Sequence, residues 1–242
     1  MNRSILSATY NSRFISKCGE KSLIVRSDKI DNCCRDDIDF LFCSGIRNII
    51  DLRNLQNKKL NNFLNDYGMN IFNFPLPARV ECGQRVSNSD IAILDYYIFL
   101  IMRYSTIKTI LQGLLTLSGG ALLNCSLGRD RTGVVCFIIE IIAGFSKEFI
   151  VEDMAETDNN LLSQVDKVDL TEELNYEQAR ERASLLYDWF FKKYQSIENY
   201  LSQIGFKKQE VNALKIKMRF LSNGNDFTTR NNPLTNLNNG GL

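Results

Sequence analysis

Apolar and polar positions along this chain follow two periods, and the balance between them changes part-way. Leu23, Ile24 and Val25 make a short apolar run in Ser22–Arg26, which reads as a strand. Asp36–Ser44 places Ile38, Leu41 and Phe42 on one helical face and is followed by Gly45, the residue suited to a left-handed helix end. Ile46–Leu52 is the strongest strand of the first half. Asn57–Tyr67 returns to helical spacing, with Leu60, Phe63, Leu64 and Tyr67 at i, i+3, i+4 and i+7. Met69–Phe74 is a further strand, stopped by Pro75 and Pro77. Residues 78–88 are polar and loop-like. Asp90–Arg103 and Thr106–Leu117 read as helices, the second carrying Ile107, Ile110, Leu111, Leu114 and Leu115 on one side. Gly119-Gly120 turns into a buried strand at Ala121–Asn124. Helices then follow over 131–144, from near Ser146, over Thr171–Tyr194 and over Lys208–Leu221.

Strands and helices thus alternate as far as residue 144, after which helices dominate. That order predicts an α/β fold: a mostly parallel central sheet flanked by helices, with a helical C-terminal part. The expected organisation is one domain over 1–221. Its helical stretch 145–221 is a candidate lid, because Tyr187, Trp189, Phe190 and Phe191 crowd one helix; an ordinary buried helix is the alternative. The Asn-, Gly- and Thr-rich segment 222–242 is expected to be a disordered tail.

Composition narrows the chemistry. The chain has 242 residues, 29 basic against 28 acidic, and a net charge of +1. This balance gives no reason to expect nucleic acid as a partner. No apolar run is long enough to span a bilayer, and no hydrophobic segment follows Met1-Asn2-Arg3, so a cytoplasmic protein without stable membrane insertion is expected. Seven cysteines without a Cys-x-x-Cys pair argue against a disulfide framework and for a reducing compartment. The chain contains no histidine, which excludes Ser-His-Asp and Cys-His catalysis and any histidine-bound metal.

Against that background one segment stands out: Asn124-Cys125-Ser126-Leu127-Gly128-Arg129-Asp130-Arg131-Thr132-Gly133. A cysteine and an arginine six positions apart, between a buried strand and a helix, meet the needs of phosphate-ester cleavage. The intervening residues can wrap a loop whose N–H groups converge on phosphate oxygens. Arg131 closes the ring as a planar, permanently charged clamp. The helix N-terminus favours the thiolate of Cys125, the nucleophile. Ser126, Leu127, Gly128, Arg129, Asp130 and Arg131 are the expected phosphate-binding residues. Thr132 is expected to donate to the thiolate. The general acid is left among Asp130 in the loop, Asp51 at the end of a neighbouring strand, and Asp90 beyond the 78–88 loop. For Asp51 an ion pair with Arg53 is an equal alternative, and for Asp90 a helix cap is the stronger one. Arg26 and Arg53 read as partners of carboxylates. No cofactor or metal is implied.

The segment NCSLGRDRTG resembles the phosphate-binding loop of cysteine-dependent phosphatases, and more narrowly that of the atypical bacterial tyrosine phosphatases of the mycobacterial phosphatase B type. Three segments carry the narrower resemblance in the same order: Val25-Arg26-Ser27-Asp28 with Gly45-Ile46-Arg47-Asn48-Ile49-Ile50-Asp51-Leu52-Arg53, then Phe74-Pro75-Leu76-Pro77, then Gly144–Asp153. The resemblance implies a tyrosine-phosphatase-like fold, a phosphocysteine intermediate, and Asp130 as the favoured acid. It also implies a phosphorylated protein or a small phosphomonoester as substrate, phosphotyrosine first, with phosphoserine/threonine (dual specificity) and phosphoinositides as further candidates. Two features depart from the family pattern. Asn124 stands where the family usually has His, and near the N-terminus only Asn11-Ser12-Arg13 matches part of an Arg-Asp-Leu-Gly-Gly stretch. The family's usual loop Lys is Arg129 here. The competing readings are a phosphatase of sugar, inositol or nucleotide phosphates, and a phospho-binding pseudophosphatase. A rhodanese-type sulfur transferase suits the Arg-Thr-Gly ending poorly.

Overall fold

A computed structural model describes residues 4–16, 22–54, 63–82, 90–163 and 174–222. Its elements, in chain order, are β1 (Arg13–Phe14), β2 (Ile24–Ser27), α1 (Arg35–Cys43), β3 (Ile46–Asp51), α2 (Phe63–Asp66), β4 (Asn70–Asn73) and a 3-10 turn at Arg79–Cys82. There follow α3 (Asp90–Ile101), α4 (Tyr104–Thr116), β5 (Gly120–Asn124), α5 (Asp130–Ala143), α6 (Lys147–Leu162), α7 (Tyr176–Tyr194), α8 (Ile197–Gln203) and α9 (Lys208–Ser222). The expected helix over 57–67 is described only from Phe63, and that over 171–194 only from Leu174 onward. Residues 57–62, 171–173, most of the 78–88 loop and 223–242 lie outside the described residues.

The strands form one sheet in the order β1-β2-β5-β3-β4. β5 pairs in parallel with β2 on one side and β3 on the other, and β3 pairs in parallel with β4. This is the mostly parallel α/β sheet expected from the alternation. β5 is buried at every position, as its unbroken Gly-Ala-Leu-Leu-Asn run requires of a central parallel strand. The register places the site. Ser27 of β2 and Asp51 of β3 both stand opposite Asn124 of β5, so three strands end on one line, with Cys125 leaving from the middle.

Helix α5 leaves that line and is buried almost all round, which the stretch Val134–Ala143, apolar except for Glu140, demands. It ends on Gly144 at φ +81°, with Phe145 N–H donating to Glu140 O at 3.0 Å in the expected left-handed closure. Gly45 closes α1 at φ +84° for the same reason. Phe190 of α7 is fully buried, with ring centroids 5.7 Å from Phe137 of α5, 5.0 Å from Tyr194 and 5.1 Å from Tyr200. Tyr187, Trp189 and Phe191 are half-buried against the same core. α9 joins the sheet through Leu23 N–H donating to Leu221 O at 2.7 Å.

Two elements differ from expectation. Ahead of Ser22, where the hydrophobic pattern marks no element, the chain forms β1, which pairs antiparallel with β2, Arg13 opposite Arg26. A separate helix, α8, lies between α7 and α9. Among the described residues no single helix is long and apolar enough to cross a membrane. The bent pair α3 and α4 qualifies together by length and composition, yet most of its apolar side chains lie in the core.

Candidate active site

The loop from Cys125 to Arg129 connects β5 directly to the first turn of α5. Three of its carbonyl oxygens are engaged from outside. Ser126 O accepts from Lys29 N–H at 3.3 Å, Leu127 O from Asn11 Nδ2 at 3.2 Å and Gly128 O from Arg26 Nη2 at 2.8 Å. In a trans peptide the N–H opposes the C=O, so the amides that follow these carbonyls face the other way, into the loop. Gly128 sits at φ +67°, and a Cβ there would lie 2.7 Å from backbone atoms of Ser27 and Asp28. The loop is thus pressed against the end of β2.

Cys125 is almost fully buried at the base of this loop. Arg131 Nη2 donates to Ser126 Oγ at 3.0 Å and so spans the loop's two ends. Three buried polar atoms flanking Cys125 have no hydrogen-bond partner among the described residues: Asn124 Oδ1 and Nδ2, and Thr132 Oγ1. The bond from Thr132 to sulfur is therefore not formed in this arrangement.

Asp130, half-buried at the start of α5, accepts at Oδ1 from the Tyr97 hydroxyl of α3 at 2.8 Å. Burial, and then the charge of Asp130, push the Tyr97 phenol well above its ordinary range, so it remains a donor. The Arg182 guanidinium of α7 lies 5.9 Å over the Tyr97 ring.

Arg129 requires a correction. Its side chain, expected to face a phosphate, is 4 % exposed and turned toward α6. There Nε and Nη2 grip Asp158 in two parallel bonds of 2.8 and 3.0 Å. A buried bidentate ion pair holds this guanidinium more firmly than a solvated loop position would. Asp51 is equally occupied. Its carboxylate accepts from Arg53 N–H at 2.9 Å and from Arg53 Nη2 at 2.6 Å, while Arg53 reaches Asp31 with two bonds of 2.7 Å. Asp90 begins α3 and pairs with Arg182.

Beneath the loop lies a buried charge cluster that spans the sheet edge and two helices. Arg13 of β1 and Arg26 of β2 both bind Asp153 of α6, and both donate to Thr157 Oγ1, at 3.0 and 3.1 Å. Burial works against the charge of Asp153, but the two arginines outweigh it and hold the carboxyl well below the usual range. Glu140 of α5 is the reverse case: burial, reinforced by Asp153, raises it well above the usual range. Neither carboxyl oxygen of Glu140 has a hydrogen-bond partner among the described residues, so no hydrogen bond offsets the cost of burying its charge there. Asp28, at the end of β2, is raised by burial against the opposing N–H groups of Tyr10 and Asn11.

Sequence reasoning assigned Arg26 a carboxylate partner but missed Tyr97, Asp153 and Asp158 as supports. Their separations from their partners in the chain carry no local signal. Among the described residues no three His, Cys, Asp or Glu side chains converge as a metal site, and Cys33, Cys34, Cys43, Cys125 and Cys136 are free thiols.

A parallel sheet whose middle strand ends on a buried cysteine, with an arginine closing the loop ahead of a buried helix, has the architecture of an α/β phosphatase domain. The tyrosine phosphatase family matches residues 17–219, and the chain belongs to that family. No curated protein matches the chain.

Proposed function

We propose that this phosphatase hydrolyses phosphomonoesters through a phosphocysteine intermediate, with a protein phosphotyrosine as the leading substrate class. The observation that carries the reading is the pairing of a buried Cys125 with Arg131 across one short loop at a helix N-terminus. In the first step the Cys125 thiolate attacks phosphorus. The S–P bond forms, the P–O bond to the leaving group breaks, and Asp130 gives its proton to the departing oxygen. The inward amides of the loop and the Arg131 guanidinium hold the equatorial oxygens while charge shifts. In the second step water attacks phosphorus, Asp130 takes its proton, and the thiolate leaves. Thr132 Oγ1, which is buried and lacks a partner among the described residues, then donates to that thiolate.

Asp130 is preferred over the other carboxylates because it belongs to the loop. Asp51 is committed to Arg53, and Asp90 to Arg182. Arg129 contributes its backbone to the loop, while its side chain anchors the loop to α6.

The test is hydrolysis of p-nitrophenyl phosphate in the presence of EDTA by the wild type and by Cys125→Ser. Turnover in the wild type and its loss in the variant, by at least ~10³-fold, is the expected result. Wild-type turnover that disappears with EDTA, or that survives the substitution, would sink the cysteine mechanism. Absence of wild-type turnover between about pH 5 and 8, with saturable binding of inorganic phosphate, would favour a phospho-binding module instead.

A further inference from the structure

We propose that Tyr97 is the positioning residue for the general acid, fixing the Asp130 carboxyl in the orientation that delivers its proton to the leaving group. The proposal rests on the reading of Asp130 as that acid.

A carboxyl group on a loop-to-helix junction has two nearly equivalent oxygens and a soft terminal torsion. A proton carried on either oxygen, in any torsional state, is transferred efficiently in only a small fraction of them. The Tyr97 hydroxyl removes that freedom. It donates to Asp130 Oδ1 at 2.8 Å, which assigns that oxygen as acceptor and leaves Oδ2 to carry the transferable proton. The donor is itself fixed. Tyr97 is 3 % exposed on α3, and its ring is held by the main core on one side and lies under the Arg182 guanidinium on the other. Arg182 is fixed in turn by Asp90, the first residue of the same helix.

A buried tyrosine whose hydroxyl served packing alone could meet its need at a backbone carbonyl. Its neighbour Tyr96 does this by donating to Pro77 O at 2.7 Å, and Tyr200 does it by donating to Ile101 O at 2.9 Å. Tyr97 instead spends its one proton on a side chain of the phosphate loop.

The effect of losing this bond depends on the leaving group. An aryl phosphate with a very weakly basic leaving oxygen departs without a proton, whereas phenyl phosphate needs one. The experiment compares kcat/KM for phenyl phosphate and 2,4-dinitrophenyl phosphate in the wild type, Tyr97→Phe, Asp130→Asn and the double variant. The ratio kcat/KM is read because it contains the step in which the leaving group departs. Tyr97→Phe keeps the ring and removes only the hydroxyl. The expected result is a loss of about tenfold on phenyl phosphate and less than about twofold on the dinitrophenyl ester. Asp130→Asn should show the same selectivity more strongly, and the double variant should match Asp130→Asn alone. Equal losses on both esters in Tyr97→Phe, or additive losses in the double variant, would assign Tyr97 to packing and overturn the proposal. If Asp130→Asn itself shows no dependence on the leaving group, the acid has been assigned to the wrong residue, and the proposal falls with that assignment rather than on its own geometry.

Discussion

Gly128 meets two constraints that no other residue satisfies together. Its φ of +67° lies in the left-handed region, and the space a side chain would fill is occupied by the backbone of Ser27 and Asp28 at 2.7 Å. Backbone atoms paired into a parallel sheet cannot step aside as the tip of a flexible side chain can. Gly128→Ala should therefore push the loop off the end of β2 and weaken the bond from Arg26 Nη2 to Gly128 O. The expected outcome is a loss of at least ~2 kcal/mol in urea unfolding together with at least a tenfold fall in kcat/KM. Wild-type stability and activity in this variant would show that the loop has room to move. The same scale explains Arg129. Its charge was legible in the sequence and its direction was not, because the partner that turns it, Asp158, comes from α6 and is brought near only by the fold.

At the scale of elements, the parts of the fold that were legible are those with a period of their own. Thr106–Leu117 announces a helix through one apolar stripe, and α4 runs over Tyr104–Thr116. Ala121–Asn124 followed by the loop announces a strand feeding a helix, and β5 and α5 flank the loop accordingly. β1 was illegible because two residues have no period; they are a strand only through their pairing with Arg26 and Val25. The supports of the site were illegible for a related reason. Tyr97 lies within a helix so apolar that its hydroxyl gives no sign of facing Asp130.

Helices α5 and α6 meet through carboxyls shifted in opposite directions, and this makes stability depend on pH. Glu140 is raised well above the usual carboxyl range when folded, whereas it ionises above about pH 4.5 when unfolded. Above that pH the unfolded state binds fewer protons, so this group lowers stability as pH rises, by up to about 1.4 kcal/mol per pH unit until its folded pKa is reached. Asp153 acts in the opposite sense. Its contribution is present above its unfolded pKa, near 3.8, and is lost as pH falls toward its depressed folded value. Glu140→Gln keeps the size of the side chain and removes the titration. The variant should match the wild type near pH 4.5 and become more stable than it as pH rises above that, until the raised folded pKa is passed. Urea unfolding across that range checks this, and a pH-independent difference would show that Glu140 is ionised in the fold.

At the scale of the whole molecule, α5 is shared property: the sheet covers one side, and α3, α6, α7 and α9 cover the rest. A helical layer so joined to the sheet should unfold with it. Phe190→Ala removes a fully buried ring that touches α5 and α8, and is expected to cost about 3–5 kcal/mol. The informative reading is cooperativity. Trp189 fluorescence and far-ultraviolet circular dichroism should shift together and remain coincident. Two separated transitions would make residues 145–221 a unit of their own and reject a single domain.

The strand order also sets a timetable for biosynthesis. β2 and β3 emerge from the ribosome early, yet they never pair with each other, because β5 belongs between them. Until residue 124 has been made, each offers an unpaired apolar edge that the finished protein hides. The loop then waits again, since Asp153, Thr157 and Asp158 follow Cys125 by a further delay of roughly a few seconds at about 5–20 residues per second. A nascent chain stalled before residue 124 carries two strand edges without a partner, which makes it a natural client for a chaperone that binds extended apolar segments, and one stalled after Cys125 carries the loop without its supports.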